Sequence, residues 1–106
     1  MSDLVVEVHV PLVPTPGLEE GEYAFPWIDD IEAFLFDLEG DPRGELFDDG
    51  EEWGEEYLFF IWQGSEESLL GLARAIANLP GVPGGVYAVV TDTDSTEMGT
   101  GRRVDL

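Results

Sequence analysis

Residues 57–90 read YLFFIWQGSEESLLGLARAIANLPGVPGGVYAVV and are the most informative segment of the chain. The segment opens with Tyr57–Trp62, six apolar residues whose aromatic and β-branched side chains favour a β-strand. Val86–Thr91, at its other end, has the same character. Between them, apolar residues recur at the spacing of a buried helical stripe, at Leu69, Leu72, Ala73 and Ile76.

The boundaries of this helix are also readable. Ser65 stands at the N-cap position, with Glu66 and Glu67 in the first turn, where the helix dipole favours anions. Pro83-Gly84-Gly85 separates the helix from the following strand. The segment therefore predicts a strand, a helix and a second strand.

The preceding part of the chain repeats this plan. Leu4–Val13 alternates between apolar and other residues with period two, which is typical of a strand. Pro26 opens a helix whose buried stripe is Ile28, Ile31, Leu35 and Leu38. Gly44–Asp48 is predicted to be a short strand, and Asp49-Gly50 is a turn dipeptide.

The predicted order of elements is β-α-β-β-α-β within a single domain, residues 1–106. Right-handed crossovers and short connections leave few ways to close that order. We expect an α+β fold, a ferredoxin-like two-layer sandwich with a four-stranded antiparallel sheet and both helices on one face. The segment Arg102–Leu106 is available as an extra C-terminal edge strand.

The composition restricts the function. The chain of 106 residues has 24 acidic residues, four arginines, no lysine and no cysteine, and its formal net charge is −20. Such a surface repels phosphate backbones and anionic membranes and attracts basic partners, so we expect no nucleic-acid or membrane binding. The absence of cysteine excludes disulfides and thiolate chemistry.

The acidic residues are concentrated between Glu19 and Glu56, which contains 16 of the 24 acids and one base, a local balance of −15. This charge has two interpretations, solubility or a docking surface for a basic protein. In the second, the carboxylates steer the encounter and an exposed tryptophan anchors the complex. The candidate partner-binding residues are Asp48, Asp49, Glu51, Glu52, Trp53, Glu55 and Glu56. Trp53 could equally fold back onto the sheet as core.

The sheet face away from the helices is a second candidate surface. Leu58, Phe60 and Trp62 should point to this side, because Tyr57, Phe59 and Ile61 alternate with them. Large exposed apolar patches usually mark an interface, here with a second copy or with another protein. The interface candidates on this open sheet face are Glu7, His9, Phe60, Trp62 and Tyr87.

Evidence for catalysis is weak. His9 is the only histidine, and Glu7 on the same strand face could pair with it as an acid–base couple, but no nucleophile stands in a known motif. Asp92–Thr96 begins like an EF-hand loop, yet Glu97 replaces the required glycine and Arg103 the final ligand. We therefore expect no catalytic residue, no metal site and no cofactor.

Three segments together resemble a group of small acidic actinobacterial proteins of unassigned function. They are GEEWGEEYLFFIWQG, SEESLLGLARAIANLPGVPGGVYAVVT and the terminal GRRVDL. In size, charge and plan the chain is also loosely similar to immunity proteins that neutralise polymorphic toxins. That resemblance implies a tight, stoichiometric, non-enzymatic binder of a basic toxin or nuclease and assigns no role to any residue.

The leading hypothesis is thus an acidic protein-binding domain. The alternatives are a structural or regulatory module that dimerises through the open sheet face, or a small enzyme or ligand-binding domain that uses His9 and Glu7. Met1–Leu4 contains no basic residue, so we expect no secretory signal and a cytoplasmic location.

Overall fold

The computed structural model describes residues 4–14, 21, 24–38, 40–42, 44–92 and 101–106. It has the α+β class that the sequence predicts, with two helices and one antiparallel open sheet among these residues. The elements in chain order are β1 (Leu4–Pro11), α1 (Pro26–Phe36), β2 (Glu45–Trp53), β3 (Glu56–Trp62), α2 (Glu66–Ala77), β4 (Tyr87–Asp92) and β5 (Arg102–Asp105). No helix in the described ranges is long and apolar enough to cross a membrane.

Among the described residues the sheet has five strands in the order β2-β3-β1-β4-β5, which are the four expected strands and the extra C-terminal edge strand that the sequence made available. β1 is central and pairs antiparallel with β3 on one side and β4 on the other. The fifth strand is the C-terminal segment, which pairs antiparallel with β4, so that Tyr87 lies opposite Asp105. β2 and β5 therefore form the two opposite edges of the sheet.

Both helices pack on one face of the sheet. Val6, Val8 and Val10 of β1 alternate towards that face, as do Phe59 and Ile61 of β3. The helices cover them with their apolar stripes, and burial of this area is the main favourable term in folding. The predicted stripes are buried, and Trp27 of α1 and Leu70 of α2 join them.

Local signals set the helix ends. Pro26 is the first residue of α1, where its missing N–H costs nothing. Ser65 caps α2, because its hydroxyl accepts a hydrogen bond from the Ser68 N–H at 3.1 Å. Glu66, in the first turn of α2, also pairs with Arg102 of β5, which ties the edge strand to the helix layer.

The hairpin that joins β2 and β3 differs from the prediction. β2 continues through the acidic segment to Trp53, and the turn is Gly54-Glu55 rather than Asp49-Gly50. Gly54 has φ +63°, a conformation that glycine adopts without strain, at the first central position of a two-residue turn. The acidic residues Glu51 and Glu52, which follow the predicted turn, therefore lie on a strand, and β-bulges between Leu46 and Glu51 accommodate the pairing.

Candidate functional site

The sheet face opposite the helices holds a compact polar cluster around His9 in the middle of β1. Nε2 of His9 lies 3.1 Å from Oε1 of Glu7, two residues away on the same face. Nδ1 lies 3.2 Å from Oε1 of Glu56, at the start of the neighbouring strand β3. The imidazole is completely buried, Glu7 is nearly so, and the Glu56 side chain is 22% exposed.

The two contacts restrict where protons reside. A carboxylate only accepts hydrogen bonds, and a neutral imidazole donates from one nitrogen alone. Both contacts are therefore hydrogen bonds only when His9 is an imidazolium or when one of the two carboxyl groups carries a proton. In either state, the cluster links β1 to β3 through one buried ring.

Tyr87 of β4 closes the cluster from the other side. Its ring stacks on His9 with centroids 4.6 Å apart, and its hydroxyl donates to Oε1 of Glu56 at 2.9 Å. Burial, and then the hydrogen bond to Glu56 and the charge of that carboxylate, raise the pKa of Tyr87 to about 12. The guanidinium of Arg103 on β5 lies 4.0 Å over the same ring and acts in the opposite direction on this pKa.

Trp53 covers the remaining side of His9. It is the last residue of β2, it lies opposite Glu56 in the hairpin, and its ring meets the imidazole edge-on at 5.6 Å between centroids. The side chain nevertheless remains 39% exposed. Trp53 thus combines the two roles considered for it, because one part packs on the cluster and another part faces solvent.

The imidazole of His9 is enclosed by the groups around it. Both nitrogens of His9 are occupied by carboxylates, and the rings of Trp53 and Tyr87 lie against the imidazole. A general base needs a free path to the proton that it removes. The contact between His9 and Glu7 is the one that the sequence suggests, and the cluster connects β1 with the β2–β3 hairpin.

The hairpin end is strongly acidic. Glu51, Glu52 and Glu55 are exposed, and none of them forms an ion pair in the part of the chain that the structure describes. Asp48 and Asp49 lie on β2 between them and Leu46, but their side chains fall outside the described part. The exposed glutamates and Trp53 therefore share one projecting end of the sheet.

The end of the β2–β3 hairpin also has a depression beside Trp53 that could receive a ligand group. It is open, has a volume of about 490 Å³, and is lined by Pro11, Trp53, Gly54, Glu55 and Glu56. Pro11 pairs with Glu56, and the Leu12 N–H donates to the Glu55 carbonyl at 2.9 Å. The end of β1 and the residue after it are therefore bonded to the turn. The lining residues thus include two with apolar rings and two with carboxylate side chains.

The open sheet face is less exposed than the sequence suggested. Leu58, Phe60 and Trp62 point away from the helices as predicted, but Leu58 is fully buried, and Phe60 and Trp62 are half-buried. Trp62 packs against Phe47 of β2, with ring centroids 4.7 Å apart. The apolar side chains of this face are therefore buried or half-buried within one chain, because rings of neighbouring strands cover one another.

Two features of the site were not found from the sequence. The sequence assigns no side-chain contact to Arg103, whereas it stacks on Tyr87 and its Nε donates to Asp105 at 3.0 Å. The sequence places Glu56 among the candidate partner-binding residues, whereas in the structure it bridges His9 and Tyr87. Both roles depend on how neighbouring strands pair. The residue pattern of one strand does not reveal its register with the next strand.

Metal binding receives no support from the geometry. Among the described residues, no group of three or more histidine, aspartate or glutamate side chains is placed to hold a metal ion. The EF-hand-like segment lies outside the described residues, apart from Asp92.

Comparison with known proteins adds no relative. No protein-family model, no curated protein and no solved structure matches the chain.

Proposed function

We propose that the protein is a non-enzymatic acidic domain that binds a basic protein through the end of its β2–β3 hairpin. One observation carries the proposal: a tryptophan that is 39% exposed stands beside three exposed glutamates that have no ion pair in the described chain. Interfaces gain most of their affinity from a few such aromatic anchors, while the surrounding charges speed association.

The buried cluster supports this role because it fixes the anchor before binding. Trp53 packs on His9, and His9 is held by Glu7 and Glu56 from two different strands. A side chain that is already ordered loses less conformational entropy when it enters an interface. The hairpin end is therefore a rigid recognition element rather than a mobile acidic loop.

The partner class follows from the charge. A protein with a net charge of −20 is steered towards strongly basic surfaces, such as the active-site face of a nuclease. The carboxylates of the hairpin end would occupy the positions that substrate phosphates otherwise fill. We propose an immunity-type inhibitor that docks on a basic toxin or nuclease, acts in the cytoplasm, and contacts neither nucleic acid nor membrane.

We also infer a ferredoxin-like topology extended by one strand. The order β2-β3-β1-β4 with every neighbour antiparallel, together with two helices on one face, supports this assignment. β5 then extends the sheet beyond β4 and carries the arginine that stacks on Tyr87.

The test is calorimetric titration of the purified chain against basic nucleases and toxins, starting with the product of any neighbouring gene. We expect a 1:1 complex that survives moderate salt and is weakened about 100-fold by Trp53→Ala, a typical loss for a tryptophan anchor. Phe36→Ala, at an exposed aromatic residue on α1, is the matched control and should bind like the wild type.

Two other outcomes would contradict specific docking through the hairpin end. If every basic protein binds weakly and binding disappears at moderate salt, only non-specific electrostatic attraction remains. Equal losses for Trp53→Ala and Phe36→Ala would likewise exclude the hairpin end as the docking site.

A further inference from the structure

We propose that the depression beside Trp53 is a receptor site for a single arginine side chain of the basic partner. This inference rests on the proposed function and specifies the group that the hairpin end recognises. The residues that line the site include Pro11 and Trp53, which carry rings, and Glu55 and Glu56. A guanidinium is the protein group that satisfies both kinds of wall, since it stacks on aromatic rings and pairs with carboxylates.

The occupancy of Glu56 supports a cationic ligand. Its contacts with His9 and Tyr87 both use Oε1, and the structure records no other hydrogen bond or ion pair of this side chain within the described ranges. Oε2 is thus available on the side chain that lines the depression. The neighbouring Glu55 is exposed and has no ion pair in the same ranges.

The chain itself makes this kind of contact once on the same sheet face. Arg103 lies over the Tyr87 ring at 4.0 Å, while its Nε donates to the carboxylate of Asp105 at 3.0 Å. An aromatic ring with an adjacent carboxylate therefore already holds one guanidinium beside the His9 cluster. The depression has the same two components, with Trp53 as the ring, and tryptophan is the best aromatic partner for a cation.

Shape favours arginine over lysine. The guanidinium is planar and weakly hydrated, and it presents a fork of donors that can reach two carboxylates at once. The ammonium of lysine is compact and strongly hydrated, so a shallow, open site removes little of its water. We therefore expect the site to distinguish the two cations, which a diffuse acidic surface does not.

The experiment uses the intact protein and three short capped peptides, Gly-Arg-Gly, Gly-Lys-Gly and Gly-citrulline-Gly. Citrulline keeps the shape of arginine but lacks its charge. Binding is followed by the NMR signal of the Trp53 indole N–H, which is assigned by its loss in Trp53→Phe. We expect a saturating shift with the arginine peptide, a weaker response with lysine, and none with citrulline.

Two substitutions distinguish binding at this site from general electrostatic attraction to the acidic surface. Glu55→Gln should weaken the arginine peptide about threefold, in line with the strength of an exposed ion pair. Glu67→Gln removes an equal charge from the first turn of α2 and should leave affinity unchanged. Equal responses to arginine and citrulline, or equal effects of the two substitutions, would overturn the assignment.

The failure of this site can be told apart from failure of the proposed function. If a basic protein binds in a Trp53-dependent manner but the arginine peptide does not shift the indole signal, the arginine site is wrong and the docking surface stands. If the arginine peptide saturates the site while no basic protein binds, the guanidinium site stands and the proposed function is wrong.

Discussion

His9 is the residue on which the candidate site depends. It is fully buried on the central strand and touches a carboxylate through each ring nitrogen, one from β1 and one from β3. Burying two carboxylates is costly unless they are hydrogen-bonded. The single histidine of the chain therefore offsets part of the cost of placing both carboxylates in the sheet.

The first prediction concerns the removal of this ring. His9→Ala should reduce the free energy of unfolding by about 3 kcal/mol, because it leaves Glu7 and Glu56 facing a cavity without their shared partner. Urea denaturation measures the change. The exposed control Glu67→Gln should shift stability by less than about 0.5 kcal/mol.

A double-mutant cycle checks the cause of that loss. Combining His9→Ala with Glu7→Gln should cost less than the sum of the single changes, since the glutamine does not need an ionic partner. Strict additivity of the two free energies would show that the contact between His9 and Glu7 contributes nothing.

The second prediction concerns Tyr87, whose pKa is raised to about 12 from the ordinary 10.0. Between these values the phenol stays protonated in the fold but ionises in the unfolded chain. The unfolded state then binds fewer protons, so the free energy of unfolding falls as the pH rises from 10.0 to about 12. This contribution is complete below pH 10.0.

Ultraviolet titration of tyrosinate measures this shift. The native protein should show one late-ionising tyrosine that is missing in Tyr87→Phe, and denaturant should return it to the ordinary range. An unchanged titration curve in Tyr87→Phe would contradict the hydrogen bond to Glu56.

At the scale of elements, β2 departs most from expectation. Its acidic residues have low strand propensity, yet the strand extends over nine residues and ends in a two-residue turn. Pairing with the apolar strand β3 overrides that propensity. Gly50 marks the close contact between the two strands, because a Cβ there would lie 2.6 Å from Cε1 of Tyr57 and 3.0 Å from the Leu58 carbonyl oxygen.

The third prediction compares two glycine substitutions. Gly50→Ala should destabilise the protein by about 2 kcal/mol, since overpacking of this kind forces the neighbouring strand to move. Gly71→Ala should stabilise it by about 0.5 kcal/mol, because Gly71 lies inside α2 and its Cβ would meet nothing within 4 Å. Thermal unfolding of the two variants measures both signs, and a similar effect of both would refute the close packing of β2 on β3.

At the scale of the molecule, charge is separated across the sheet. The acidic strand β2 forms one edge, whereas Arg102 and Arg103, two of the four arginines, lie on β5 at the other. Both arginines are already engaged, with Glu66 and with Tyr87 and Asp105, respectively. The hydrogen bond from Arg102 holds the pKa of Glu66 below its ordinary value. The two arginines of β5 are therefore not available to pair with the acidic edge strand β2.

The fourth prediction follows from this distribution. The isolated chain should have a mass of 11.7 kDa at low salt, where like charges repel, and also at high salt, because the open sheet face is largely buried within one chain. Light scattering over a wide concentration range measures the mass. A doubled mass at high salt would favour the alternative in which the protein dimerises through its open face.

Much of the architecture was readable from local patterns. The period-two alternation divided the side chains of β1 and β3 into two sets, and the buried stripes of both helices and the cap of α2 were found because each depends on neighbouring residues. Only part of the candidate site could be predicted from the sequence. Glu7 and His9 share a strand face and could be paired from the sequence, whereas Glu56, Tyr87 and Arg103 come from three other strands.

By itself, the sequence determined the composition of the surface, the alternation of the strands and the amphipathic helices, since these are properties of residues close in the chain. Only the tertiary structure decided the length of β2, the position of its turn and the partners of His9. Strand pairing adds the interactions of residues distant in sequence, and a register shift of one residue would move every side chain of a strand to the opposite face.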